Sequence, residues 1–510
     1  MLLTPELRRR AAECCILRRE LLRAFAFLSE AGRDEDLVRL LELVSLPDGG
    51  MPLFYFTTEV VRAVLTVPWR LRRKRPLDYL TFLFCHLAEA GNSGNAYLLD
   101  EAAKHFGQDA DYSQEQKSEL LAEIEFIRLF LKSETALPHY EAFGGGHAEL
   151  RWRSFASRPH WTWAFGCPHA GYLYLRQPGS YERLCGFVGS HVFAYGDMTA
   201  GGVAGSRVLF TAERHLERAE FDTAEPLLHM ALMLGERYDA PAVRLAARFC
   251  LARFHLAGGR AEKALALVGD QREEVATLGH ANYDRCLDLS LCYIRACLGD
   301  FAGIPGWLKE KSIAPNLMIV LMSGFIYSLQ AKALLLTGDW PHLGALAKSI
   351  PASQGANNNL FGHIQALLLE AVAMRHLQGL KKAARILERA IELARPDGLI
   401  TTMAEYGAHL LPVIRYVAEL KPNDGFIAVI HTAVQSYATN LSPATVQNGP
   451  LAPQEQAILE KAVLGLPNND IAQTMGLSPK TVRNTLTRVY AKLGVKNRTQ
   501  AVIEWRRRTA

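Results

Sequence analysis

Near the C-terminal end of the chain, apolar side chains return at helical steps. Val482, Leu486, Val489 and Leu493 are three or four residues apart, which predicts a helix with one buried stripe. Its opposite side carries Lys480, Arg483, Asn484 and Thr487, with Arg488 beside them. Ser478 followed by Pro479 reads as a cap and first-turn proline for this helix, and Gly476 permits the sharp turn before it. Two further helices precede it: one opens at Pro453, the other follows the polar turn Gly465-Leu-Pro-Asn468 with Asn468 as its predicted cap. A fourth opens with a capping box of Asn497 and Gln500 and runs through Ala501, Val502, Ile503 and Trp505.

Upstream the pattern is periodic on a longer scale. Helix breaks recur at Ala219-Glu-Phe-Asp-Thr-Ala224, Gly259-Arg-Ala-Glu-Lys-Ala264, Gly299-Asp-Phe-Ala-Gly-Ile304, Gly338-Asp-Trp-Pro-His-Leu343 and Gln378-Gly-Leu-Lys-Lys-Ala383, about 40 residues apart. Each unit reads as a long apolar helix, a short turn and a second helix, unable to bury its face without its neighbours. The apolar run Leu317 to Leu336 has the length of a membrane span, but its repeat phase makes it the first helix of one hairpin, with Gln330 and Lys332 at the wetter edge. The expected organisation is all-α: a helical region over 1–200, an α-solenoid over 206–440, a polar, Pro- and Gly-containing linker over 441–450, and the helix-turn-helix over 451–510.

Charge separates these parts. Residues 451–510 hold ten lysines and arginines against four acids, a net of +6, whereas the whole chain is +5 and residues 1–450 therefore net −1. Excess positive charge confined to the helix-turn-helix is what phosphate binding requires. The run Arg70 to Arg75 is a second basic patch, read as a helix start packed against acidic neighbours. The nine cysteines are an odd set without a Cys-x-x-Cys pair, and are read as reduced core fillers in a cytoplasmic protein. Neither Cys167-Pro-His169 nor the set Cys286, Cys292 and Cys297 has zinc spacing, so no metal and no cofactor is expected. The segment Trp152 to Tyr195, with Trp161, Trp163, Phe165, His169, Tyr172, Tyr174 and His191, is either an effector pocket lining or the packing of an irregular junction. No nucleophile, base or paired carboxylates can be assembled, so no catalytic site is assigned and the chain is not expected to be an enzyme.

The last sixty residues resemble the LuxR-type helix-turn-helix, through Leu451-x-Pro-x-Glu455, Gly465, Asn468, Ile471-Ala472, Leu477-Ser478, Thr481-Val482-Arg483-Asn484, Leu486, Tyr490, Lys492-Leu493-Gly494-Val495 and Asn497-Arg498. The resemblance implies that Arg483, Asn484 and Thr487 face bases of double-stranded DNA and that Lys480, Thr481 and Arg488 lie near phosphates. Lys492 and Arg498 complete the expected DNA-binding set, and the fourth helix, through Ala501, Val502 and Trp505, is expected to pair two copies on DNA. Ala452 stands where that family prefers a hydroxyl cap, at a cost of roughly 1 kcal/mol, and Thr485 where histidine is common. Residues 206–412 resemble the TPR-like helical repeats of MalT-like LuxR regulators, supported upstream by the segment Pro68 to Leu80 and by Gly201-Gly202 with Ala212-Glu213. Such regulators commonly carry a phosphate-binding loop ending in Lys-Ser or Lys-Thr, and this sequence has none; Gly144-Gly145-Gly146-His147 reads as a loop between helices. The resemblance then implies a shortened form without that nucleotide-binding domain. The expected function is a sequence-specific transcription regulator whose solenoid senses a small molecule or protein partner, with no membrane association. The alternative is a solenoid adaptor tethered weakly to DNA.

Overall fold

The computed structural model describes residues 4–17, 21–31, 34–36, 38–39, 64–65, 67–89, 97–131, 167–172, 174–186, 204–278, 281–310, 323–353, 359–441, 453–493, 495 and 497–509. Helices account for nearly all of them, and no strand occurs among them. The N-terminal part contains α1 (Pro5–Leu17), α2 (Leu21–Ala31), α3 (Pro76–Glu89), α4 (Tyr97–Gln108) and α5 (Gln114–Leu131). Its basic run is paired as expected: Arg70 holds Asp34 through both carboxylate oxygens, and Arg73 contacts Asp109 and Asp111. Arg72 goes further and is buried, donating to the Val67 carbonyl at 2.7 Å and to the Tyr79 hydroxyl at 2.9 Å.

The repeat array begins with α6 (Ser206–Glu217) and α7 (Phe221–Arg237), followed by α8 (Pro241–Ala257), α9 (Ala261–Gly269) and α10 (Ala281–Cys297). It continues through α11 (Ser323–Leu335), α12 (Trp340–Ser353), α13 (Leu360–Gln378) and α14 (Leu380–Ala394), and closes with α15 (Gly407–Leu420) and α16 (Gly425–Asn440). The breaks that mark the period are left-handed residues: Ala219, Gly259, Gly299 and Gly338 have φ of 58°, 71°, 71° and 73°. At the first three, the next amide reaches back to the helix: Glu220 N–H to His215 O at 2.9 Å, Arg260 to His255 at 2.8 Å, Asp300 to Arg295 at 2.9 Å. This is one repeated helix stop, satisfying carbonyls that the helix end leaves unpaired. The third unit departs from the expected hairpin. Over residues 300–310 the chain makes turns and the 3-10 turn Gly306–Leu308, because Gly303, Pro305 and Gly306 oppose a helix there.

The array coils far enough for its end to meet its beginning. The amide of Ile400 donates to Glu217 O at 2.7 Å, Thr402 N–H to Glu217 Oε2 at 3.1 Å, and Asn440 Nδ2 to Ala257 O at 2.7 Å. Residues 167–186 are threaded into this ring: Leu360 N–H bonds Leu175 O at 2.9 Å, and Asp397 accepts from the amides of Gly179 and Tyr181. The centre is therefore filled by charge as well as hydrocarbon. Arg253, fully buried, donates to Glu405 Oε1 at 2.8 Å and to Glu217 Oε1 at 2.5 Å, and the Tyr293 hydroxyl closes on Glu405. Burial alone would push the Glu217 carboxyl upward, but Arg253 and His169 hold it at about 2.

Gln330 and Lys332 correct the expectation that they edge the solvent. Both are buried: Gln330 donates to the Glu310 carbonyl, and Lys332 Nζ lies 4.0 Å from the Tyr293 ring centre and 4.6 Å from that of Tyr406. Aromatic faces and a backbone carbonyl replace the water that the apolar pattern of α11 had assigned to them. The part of that run before Ser323 lies outside the described residues, as do Gly144 to His147, Trp161, Trp163, Phe165 and His191. Among the described residues no helix is long and apolar enough to cross a membrane. Cys286 and Cys292, pushed up to about 12 by burial, and Cys297, to about 11, are protonated thiols packed in the core.

Among Ala219, Gly259, Gly299 and Gly338, Ala219 alone carries a side chain at positive φ. Ala219→Gly should raise stability by up to roughly 1 kcal/mol, the left-handed strain of alanine less the extra chain entropy of glycine; an unchanged or lower urea midpoint would contradict this. His255 and His409 are each lowered from 6.5 to about 4, by burial first and nearby cations second. Their folded values lie below the unfolded one, so the unfolded chain binds more protons in that window. Their contribution to stability should be full above pH 6.5 and be lost as pH drops toward 4, and a urea midpoint flat across that range would refute it.

Candidate nucleic-acid interface

The C-terminal residues form α17 (Pro453–Val463), α18 (Asn468–Met475), α19 (Pro479–Leu493) and α20 (Arg498–Thr509). They bury two apolar clusters of their own. Ile458, Ala462, Ile471, Ala472, Val482 and Leu486 make one; Leu459, Val489, Leu493 and Ala501 make the other. Since α17 faces both, successive turns of α19 are clamped against it, and the four residues of the predicted stripe are all buried. Thr485, at the flank of the stripe, is buried with them.

Local chemistry fixes where α19 starts. Ser478 Oγ accepts from the Thr481 amide at 3.0 Å, the cap read from the sequence. Gly476 has φ of 65°, and the Leu477 amide reaches back to Ala472 O at 2.9 Å, so α18 ends with the same stop that punctuates the solenoid. Asn468 is a correction: it is the first helical residue of α18, the flanking residue is Pro467, and no side chain caps it. At the start of α20, Asn497 Oδ1 accepts from the Gln500 amide at 2.9 Å, the expected half of a capping box.

Of the residues assigned to DNA, Thr481, Arg483 and Thr487 are exposed on α19. The Thr487 hydroxyl donates to Arg483 O at 3.1 Å, which spends its proton on the helix and turns its oxygen outward as an acceptor. Lys480, Asn484, Arg488 and Lys492 also belong to α19; their side chains lie outside the described residues. At about 100° per residue, positions 480, 484 and 487 fall opposite the buried stripe, with 483 on one flank and 481 on the other. Arg498 is placed elsewhere. Its Nη2 donates to Ala462 O at 2.8 Å and Leu466 O at 2.7 Å, so its guanidinium closes the carbonyl end of α17 and ties α20 to it. The Asn497 cap placed this arginine at the start of the fourth helix, but nothing in the sequence showed which carbonyls it would meet.

Helix α20 divides its side chains differently from expectation. Ala501 is wholly buried against Leu459, Val489 and Leu493, so it builds the domain interior and cannot meet a second copy. Trp505 is partly buried against the same cluster and Val502 partly buried, while Ile503 stands 64% exposed. A one-residue shift along the helix turns the apolar contact surface by about 100°, and only the packed angle decides which residue lies outward.

Comparisons with known proteins agree with this geometry. Residues 202–419 match the family model described as the MalT-like TPR region, and residues 449–505 the one described as bacterial regulatory proteins, luxR family. The chain is 47% identical over 55 residues to the "Probable HTH-type transcriptional regulator GfsR" of Streptomyces halstedii, covering 11% of this chain and 23% of that protein. It is 45% identical over 53 residues to the DNA-binding transcriptional activator DevR/DosR of Mycobacterium tuberculosis, covering 10% and 24%. To the spore germination protein GerE of Bacillus subtilis it is 41% identical over 54 residues, 11% of this chain and 73% of that one. The chain thus spans about a quarter of the length of the first two relatives and nearly three quarters of GerE. It belongs to the luxR family of bacterial regulatory proteins, with a helix-turn-helix that follows a MalT-like TPR region.

Proposed function

We propose that this regulator reads double-stranded DNA sequence-specifically as a homodimer, with Arg483, Asn484 and Thr487 of each copy facing bases in adjacent major-groove half-sites. The observation that carries the reading is the exposed Arg483 and Thr487 side of α19, on a domain that holds all of the chain's excess positive charge. An arginine suits the two acceptors of guanine, and the outward oxygen of Thr487 suits a base amino group. Lys480, Thr481, Arg488 and Lys492 take the phosphates, beside a helix N-terminus that favours anions. Arg498 serves indirectly, by holding α20 on α17. Pairing of the two domains runs through Ile503 with Val502 and the rim of Trp505. The solenoid, in this reading, binds an effector, a small molecule or a protein, and passes its state through residues 441–450. The protein works in the cytoplasm, with its DNA.

Arg483→Ala should lose on the order of 1–3 kcal/mol for a selected operator and less for random duplex. Binding titrations on both duplexes decide it: equal losses would remove the sequence-reading role and favour an adaptor with a weak DNA tether. Ile503→Glu should abolish cooperative binding to a two-half-site operator while leaving a single half-site bound as before. Retained cooperativity in the same titration would reject pairing through α20.

A further inference from the structure

Helix α14 carries a row of charge that the solenoid itself does not use. One side of the helix is buried through Ala383, Ile386, Leu387, Ala390 and Ile391, while Lys381, Lys382, Arg385 and Arg389 are exposed. At about 100° per residue the four cations fall within one sector of about 100°, centred opposite the buried side. Glu392 shares that sector and Glu388 borders it, but both are engaged elsewhere. Glu388 meets Lys421 at 3.0 Å and Glu392 meets Arg395 at 3.4 Å. None of the four cations has an ion pair or a side-chain hydrogen bond among the described residues.

On its own this row works against the helix. Lys381 and Lys382 are the second and third residues of α14, with no acid in the first turn, where the helix dipole is positive and repels cations. Arg385 stands four residues after Lys381, and Arg389 four after Arg385, spacings at which like charges on a helix repel. Both penalties become attraction once an anion covers the row. The sector holds no apolar side chain to anchor a protein surface, so its fit is to a polyanion. From Lys381 to Arg389 the row is about 12 Å long, against one phosphate per about 3.4 Å of each DNA strand. The tether allows the approach. Helix α14 packs on α15 and α15 on α16, so at about 8–10 Å per helix the row lies roughly 20 Å from the last solenoid helix. Residues 442–452, which lead on to α17, reach at most about 40 Å when extended.

We propose that the basic face of α14 binds the phosphate backbone of duplex DNA beside the operator, so that the solenoid lengthens the site held by the helix-turn-helix. This contact rests on the proposed binding of duplex DNA by α17 to α20, and adds to it a grip without base recognition. Phosphate contacts set position and affinity, while base contacts set sequence. Each cation that displaces a counterion from a phosphate steepens the slope of log affinity against log salt by about 0.9. The α14 contact therefore shows itself as a salt dependence that grows with duplex length.

The test titrates the full chain, over a series of salt concentrations, against two duplexes that carry one selected operator. A short duplex ends at the operator, and a long duplex extends past it on both sides. The proteins are wild type, Lys381→Gln/Lys382→Gln, Arg385→Gln/Arg389→Gln and the control Arg207→Gln/Lys263→Gln, whose two cations are exposed on α6 and α9. Wild type should bind the long duplex more tightly and with the steeper slope. Each α14 variant should lose up to about 1.8 of that slope on the long duplex, two contacts' worth. On the short duplex it should bind as wild type does, which also shows that it is folded. Hydroxyl-radical footprints on the long duplex should shrink to the operator in the α14 variants. Equal wild-type slopes on the two duplexes, or an equal loss in the control, overturn the proposal and leave the helix-turn-helix reading intact. Slopes unchanged in the α14 variants overturn it too, and leave that face to an acidic protein surface. Wild type that binds neither duplex overturns both.

Discussion

Arg253 is the constraint around which the solenoid is arranged. Placing a guanidinium where no water reaches it costs several kcal/mol unless its charge and its N–H groups are met. Glu217 from the first helix and Glu405 from beyond the last repeat meet it. Those two carboxylates are far apart in the chain and can reach one arginine only if the array coils until its ends touch. The backbone bonds of residues 400–402 to α6 are the same closure seen from the main chain. Specificity, more than stability, follows: an apolar centre of equal volume would hold as well but would tolerate other curvatures.

Closure changes what a repeat array offers. An open superhelix presents its inner face, while here residues 167–186 and the ring of Glu405, Tyr293, Lys332 and Tyr406 occupy that face. Polar groups on the threaded segment are matched one by one, Asp397 to two amides and Glu213 to another. The segment is thus held by the array much as an extended ligand would be. The DNA module is built on the opposite economy, with small apolar clusters from four short helices and a guanidinium, Arg498, that replaces missing core by closing a helix end.

Much of this was legible in advance, and for local reasons. The stripe of α19, the Ser478 and Asn497 caps and the Gly476 turn depend on residues within one helical turn of each other, so sequence spacing carries them. The 40-residue period was legible because each of its stops needs a left-handed residue, and glycine supplies it at Gly259, Gly299 and Gly338. Ala219 and the turns after Gly299 show the limit: period alone does not say which stop strains its residue or which break is followed by turns over the next described residues. Lys332 and Gln330 were misjudged because polarity predicts solvent only where nothing else can satisfy the group.

Sequence by itself determined the all-α architecture, the repeat, the boundaries of α19 and which of its sides is polar. Those follow from periodicity and from dihedral preferences, which act over a few residues. Tertiary structure alone decided that Arg498 closes α17, that Ala501 turns inward and Ile503 outward, and that His169, Glu213, Glu217, Arg253 and Glu405 meet in one buried place. Each of these is a pairing of charge or shape between residues distant in the chain, and its free energy exists only once the chain has brought them together in the absence of water.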